Sequence, residues 1–385
     1  MDSPFLRKLV MKRVQPKYIF RLLFGFNLMV SAVISSPAQE KKLRKTPFIA
    51  YPLAFYSPET KAGIGVAGTI NFKSDLLDSL TPASQVSLGF AYTQNRQTIF
   101  SLPFALYSKH REHTILGEYS YNDFSYYYYG TGPGNEKGVS EKYKVKFPLF
   151  RINYYKRISN SIFIGARWWY EDYNIKSFES NELLLTKTPG RSGGTTSGPG
   201  IVFLFDTRDN LYYSLKGDYL ELVYQNQSSL TGSDFFYDRY RFDYRHFHPI
   251  NKNQSVCFQA FGDFISGNVP FNQMPGIGAG RRGRGFYEGR FRDKNIILLQ
   301  GEWRARLDNK LSAALFFNSA LLAEKASEFY LAESHLSAGC GLRYMFDVQN
   351  KTNVRLDIAF PLDGKDYIYN PEGTMKVYFT VNEAF

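Results

Sequence analysis

The sequence is short of the residues that would announce many functions. Its 385 residues hold 2 Cys, 5 His and 3 Trp. Two cysteines cannot build a disulfide framework or a cysteine-rich zinc site. The mean hydropathy of -0.33 leaves little room for the apolar runs of roughly 18 or more residues that a helical membrane protein needs. What is abundant is aromatic: 34 Phe and 29 Tyr, with aromatics at 17%. Disordered chains are poor in such rings, so disorder is excluded. The chain is basic, mildly polar, and rich in residues that favour strands.

The first 38 residues differ from the rest. Arg7, Lys8, Lys12, Arg13, Lys17 and Arg21 face only Asp2, and an apolar run over 22–34 follows, interrupted by Asn27 and Ser31. Ser36-Pro37-Ala38 then supplies the small residues of a cleavage site. These parts predict a secretory signal over 1–38, cleaved near Ala38, because the run falls short of the roughly 20 residues a spanning helix needs. Without those seven charges the chain carries 41 Lys+Arg and 34 Asp+Glu, so the formal charge of +12 falls to +7. Such a surplus on an exported chain argues for no nucleic acid and suits anionic lipid head groups.

Past residue 46 the dominant period is two. In 237–248, Arg239, Arg241, Asp243 and Arg245 share one face, and Tyr240, Phe242 and Tyr244 the other. Gln300, Glu302, Arg304 and Arg306 oppose Leu299, Trp303 and Leu307, while Arg355 and Asp357 oppose Val354, Leu356, Ile358 and Phe360. Lys142, Lys144 and Lys146 alternate with Tyr143, Val145 and Phe147 until Pro148, where a register shift is expected. Alternation alone also fits a soluble sandwich. Strand length decides, because the segments exceed the usual soluble strand of about 5–6 residues and suit a tilted bilayer crossing. Aromatic clusters at 126–129, 168–170 and 212–213 are expected to form interfacial girdles. A spanning sheet must close, since an open edge would leave backbone groups unpaired in lipid. The expected fold is all-β: a closed antiparallel transmembrane β-barrel over 47–385. Alternation marks 15 segments, the last at 373–385, and an even count predicts 16 strands. Residues 47–56 or 174–187 would supply the missing one. A short periplasmic segment, 39–46, is left before the barrel.

The stretch 275–289 is Gly- and Arg-rich. Gly278, Gly280 and Gly283 spell G-x-G-x-x-G, but nucleotide binding needs a βαβ context that Gly285, Gly289 and a following strand deny. A merely flexible loop would be rich in Gly and Ser rather than in Arg281, Arg282, Arg284 and Phe286. Arg284-Gly285-Phe286, with Tyr287 to Asp293, Glu302-Trp303-Arg304, Asp206-Thr-Arg-Asp209, Gly339-x-Gly341-Leu-Arg343, Arg355-Leu-Asp357 and Phe385, resembles the bacterial surface antigen, or BamA/TamA, superfamily. The resemblance covers essentially the whole exported chain. It implies an outer-membrane barrel of a Gram-negative bacterium whose Arg-Gly-Phe loop folds back into the lumen. An arginine held there requires a partner. Glu302 and Asp357, with Arg355 and Arg304 beside them, are the expected lumenal partners of Arg284. Ordinary lumenal salt bridges would place the same residues on the same face.

Two departures stand out, Asn318 where the family often has an acid, and Glu383 where an outward apolar residue is usual. Residues 39–46 are too few for a POTRA domain, which needs on the order of 50 residues. Separate periplasmic or outer-membrane assembly proteins are therefore expected as partners, beside outer-membrane lipid. The resemblance implies help in inserting proteins or lipids through a weak seam, in which Gly63, Gly65 and Gly68 of a first strand would meet a last strand ending at Phe385. The alternative is a structural or pore-forming barrel. An enzyme is not expected: His246 and His248 share a strand face, but no G-x-S-x-G or third ligand accompanies them. No cofactor or metal is expected. Cys257 and Cys340 are left open as a pair.

Overall fold

The structure is a computed structural model. It describes residues 48–57, 61–73, 81–132, 140–179, 188–278, 280–348, 351–362, 375–381 and 383–385. The signal segment 1–38 and the segment 39–46 lie outside the described residues.

Period-two alternation becomes strands throughout. In chain order these are β1 (Phe48–Ser57), β2 (Lys61–Phe72), β3 (Ser84–Thr93), β4 (Thr98–Tyr107), β5 (His113–Tyr128), β6 (Glu141–Arg157), β7 (Ile162–Phe178), β8 (Gly194–Asp206), β9 (Gly217–Gln227), β10 (Tyr237–Pro249) and β11 (Gln254–Gly267). After them come β12 (Gly276–Ile277), β13 (Phe291–Arg292), β14 (Asn295–Arg306), β15 (Leu311–Ala323), β16 (His335–Asp347), β17 (Thr352–Pro361) and β18 (Lys376–Val381). Sixteen of them form one antiparallel sheet in sequence order, with β11 pairing directly to β14. The chain between those two carries the small β12–β13 ribbon. Residues 48–57 supply the strand that alternation missed, and 174–178 simply prolong β7.

The sheet is inside-out compared with a soluble protein. Ile64, Val66, Leu88, Phe90, Ile164, Ile201, Leu222, Leu315, Phe317 and Phe379 stand exposed on the outer face. Inward positions bury Arg304, Arg343, Arg355, Glu302, Asp357, Asp243 and Asp263. Ions leave water only when paired, so such an interior requires partners brought across the sheet. They are present: Arg111 before β5 reaches Asp206 at the end of β8 at 2.9 Å, and Arg167 of β7 approaches Glu221 of β9. An outer face this apolar is favourable only against hydrocarbon or another protein.

Three expectations are corrected here. First, the sheet is not closed: among the described residues no pairing joins β1 to β18. β18 has six residues and stops at Val381, and Glu383 to Phe385 are buried rather than continuing to the end of the chain as a strand. Second, Pro148 shifts nothing. It stands opposite Tyr121 in an unbroken β5–β6 ladder, and the irregularity lies between Lys144 and Val145 against β7. Third, Tyr213 belongs to no girdle. It is buried, and its hydroxyl lies 3.4 Å from Ser312 Oγ.

Candidate functional site

The loop between β11 and β14 enters the inward side of the sheet. Its neck is held by β12–β13, where Gly276 opposes Arg292 and Ile277 opposes Phe291. Beyond the neck the chain turns through positive φ, and at Gly285 (φ 116°) an added Cβ would fall 2.7 Å from Ser337 Cβ. Glycine is the residue that permits both the angle and the approach.

That approach delivers Arg284, which is fully buried. Its Nη2 donates to Glu302 Oε2 at 2.7 Å and its Nη1 to Asp357 Oδ2 at 2.9 Å. The guanidinium lies 3.5 Å over the Phe316 ring. Its carbonyl oxygen accepts from Asn318 Nδ2 (3.1 Å) and Ser337 Oγ (2.6 Å). The Tyr378 hydroxyl of β18 accepts from Gly285 N and donates to the Phe286 carbonyl, both at 3.0 Å. Phe286 is buried beside Phe291 and His335. The loop tip thus touches β14, β15, β16, β17 and β18.

The carboxylates are shared. Glu302 Oε1 also accepts from Arg304 Nε (2.7 Å) and Arg343 Nη2 (3.2 Å). Asp357 Oδ1 accepts from Arg343 Nη1 at 2.7 Å, and Arg355 Nη1 stands 3.3 Å from Oδ2. Arg343 Nε reaches Glu383 Oε2 at 3.3 Å, and Asn353 Nδ2 donates to Glu383 Oε1 at 2.9 Å. Two carboxylates serving four guanidiniums, with Glu383 as a third, form a network rather than isolated pairs. Desolvation cancels much of the net worth of such groups, but removing one member strands the others.

The structure brings Arg284, Glu302 and Asp357 together. Arg304 meets Glu302 and not Arg284, while Arg355 spends its other nitrogens on Gly280 O (2.6 Å) and Thr380 Oγ1 (2.9 Å). Arg282 stacks 3.8 Å over Phe261 and lies 3.7 Å from Asp243. Arg281 offers its carbonyl to Gln300 Nε2. Arg343, Asn318, Ser337, Tyr378 and Glu383 were missed as members of the site. The alternation of β16, which puts Ser337 and Arg343 on one inward face, carried the signal for those two. Asn318 is no lost acid contact: its amide donates to the Arg284 main chain, which a carboxylate could not do.

The seam residues fall elsewhere. Gly63, Gly65 and Gly68 lie on β2, whose edges are occupied by β1 and β3. Phe385 is buried with Phe247, Cys257 and Ala384, under the Arg304 guanidinium. The sheet edges are therefore β1 and β18. Cys257 is buried and Cys340 exposed, and both are free thiols. His246 Nδ1 lies 2.8 Å from Asp218 Oδ1, and no group of metal-ligating residues occurs among the described residues.

No curated protein matches the chain. Among solved structures it is similar to BamA from Haemophilus ducreyi lacking POTRA domains 1–3, with 12% identity and a TM-score of 0.57, over 89% of this chain and 71% of that one. It is also similar to CdiB from Acinetobacter baumannii (12% identity, TM-score 0.57, 88% of this chain and 60% of that one) and CdiB from Escherichia coli (11%, 0.57, 89% and 63%). At these identities the likeness is one of fold, and this chain spans less than two thirds of either CdiB. The Omp85 superfamily domain matches residues 81–385. With that match covering most of its length, the chain belongs to the Omp85 superfamily of outer-membrane proteins.

Proposed function

We propose that the protein is an integral outer-membrane β-barrel of the assembly or translocation type, which helps proteins or lipids insert at the seam between β1 and β18. The observation that carries this reading is the contrast between edges and interior. β10 and β11 pair over thirteen residues, whereas β18 offers six and shares no ladder with β1 among the described residues. An unpaired edge in lipid costs several kcal/mol per group, so it either closes weakly or accepts a strand from a client. We read the native state as a sixteen-stranded barrel whose seam lies between the unpaired edges β1 and β18, with the Arg284 loop in its lumen.

The loop and its ion-pair network fill the side of the interior adjoining β14 to β18, which favours this reading over an open pore. The protein acts without catalysis of its own. Outer-membrane lipid surrounds the apolar belt, and separate periplasmic or outer-membrane assembly proteins deliver the client. The location is the outer membrane of a Gram-negative bacterium, after signal cleavage near Ala38.

Depletion of the protein in its host, followed by quantitative proteomics of the outer membrane, tests the proposal. Loss of other barrels or of a lipid class is expected. An unchanged outer membrane, or full function with β1 and β18 tethered by an engineered disulfide, would overturn it.

A further inference from the structure

One row of directly paired residues crosses the outer face of the sheet obliquely. It links His113 of β5 to Lys156 of β6, Lys156 to Ile164 of β7, and Ile164 to Phe203 of β8. From there it runs through Leu222 of β9 and Phe242 of β10 to Gly262 of β11. Residues paired in this way share one side of a sheet, and His113, Lys156, Ile164 and Leu222 stand exposed on the outer one. The row also climbs. His113 opens β5 and Ile164 lies near the start of β7, whereas Gly262 nears the end of β11, where the Arg284 loop departs.

Over its upper part the row lies in an apolar groove of about 490 Å³, lined by Ile164, Ile201, Phe203, Leu222, Phe242 and Phe264 among others. At Gly262 an added Cβ would run into the rings of Phe242 and Phe264, so glycine makes room for this stacked pair, 6.2 Å apart. Tyr224 and Tyr240, 5.2 Å apart, wall the upper side. From Lys156 to Phe242 the row crosses four strand spacings, about 19 Å. Taken obliquely, that length spans roughly one leaflet of a hydrocarbon core about 30 Å thick.

The two ends differ in charge. At the lower end Lys156 forms no ion pair among the described residues. Beside it His113 Nδ1 lies 2.8 Å from the Tyr154 hydroxyl, with the two rings stacked at 5.9 Å. Lys109, Lys156 and Arg157 outnumber Glu112 at this turn, while Arg111 is neutralised by Asp206 at 2.9 Å. At the upper end the polar group is a carboxylate: Asp238 accepts from the Tyr224 hydroxyl at 2.8 Å and from Asn226 Nδ2 at 2.9 Å.

We infer that this row is a binding site for one anionic glycerophospholipid of the periplasmic leaflet, its acyl chain in the groove and its phosphate at Lys156 and His113. An apolar channel that ends in unpaired positive charge matches an acyl chain that ends in a phosphate. Asp238 opposes the reverse orientation, in which a phosphate would lie at the outer end. The inference rests on the outer-membrane reading, which makes the end opposite the Arg284 loop periplasmic, but not on insertion at the seam.

The test uses native mass spectrometry of the full purified chain in zwitterionic detergent. Phosphatidylglycerol and phosphatidylcholine with the same acyl chains are titrated in parallel. Retention of a single phosphatidylglycerol, several-fold stronger than that of phosphatidylcholine, is expected. K156E should lower that preference several-fold, and L222A, which removes a wall of the groove, should weaken retention of both lipids. Should L222A fail to fold, I164A carries the groove arm. Equal retention of the two lipids, or a preference unchanged in K156E, would overturn the head-group site. Retention untouched by both groove variants would overturn the groove. Reconstitution into nanodiscs separates the two readings. A chain that does not embed strikes the outer-membrane reading, whereas a well-embedded barrel without lipid preference strikes this site alone.

Discussion

Arg304 Nη2 donates to the main-chain oxygen of Phe385 at 3.1 Å, tying the end of the chain to β14. Phe385 in turn covers Cys257. In a Cys340→Ser background, Cys257 should resist a small maleimide in the native protein. Arg304→Gln, or removal of Phe385, should raise its labelling rate at least tenfold-scale, on the order of the 1.4 kcal/mol that such a factor represents. Equal rates in all three proteins would show that the tail does not shield this thiol.

Glu302 holds three guanidiniums at once, so Glu302→Gln should cost more than a surface pair. A loss of about 3–5 kcal/mol is expected for a broken buried ion pair. It would be read as a lower urea midpoint for conversion to the unfolded gel form. A midpoint like that of the wild type would mean that the network is not formed in the membrane.

Arg284 spans two carboxylates on different strands, a separation that a forked cation fits and a point charge does not. Arg284→Lys should therefore lose about 2–5 kcal/mol despite keeping its charge. The loop should also become a protease target in intact cells. Full protection of R284K would remove geometry as the reason for arginine.

Asn318 donates to the Arg284 carbonyl and to Ser337 Oγ, at 3.1 Å and 3.0 Å. Asn318→Asp, although it restores the more usual family acid, should destabilise by about 1–3 kcal/mol, because a buried carbonyl loses one of its two donors and faces a charge. Stabilisation by N318D would instead indicate that the new carboxylate turns to the guanidinium.

Much of this fold was legible because a strand reports its two faces separately. Glu302, Arg304, Arg355 and Asp357 could be assigned inward from alternation alone, since a period of two leaves each residue only two directions. Residues 48–57 escaped because FIAYPLAFYS is apolar on both faces and has no polar partner stripe. The inward turn of Glu383 to Phe385 escaped for another reason. It is held by Arg304 and Arg343 on distant strands, and no local pattern encodes that. The shared carboxylates are likewise a product of register, visible only once Gly341 stands opposite Asp357 and Gly301 opposite Phe317.

The unbroken β5–β6 ladder through Pro148 has one more consequence. Below it Phe150 points out and Arg151 in; above it Lys144 and Lys146 point out, towards Asp123, while Val145 and Phe147 are buried. The backbone continues while the polarity of its two sides is exchanged, so Pro148 marks the height at which the surroundings change from oil to water. The protein carries its own waterline, and replacing Lys144 and Lys146 with leucine should let that side of the barrel settle deeper.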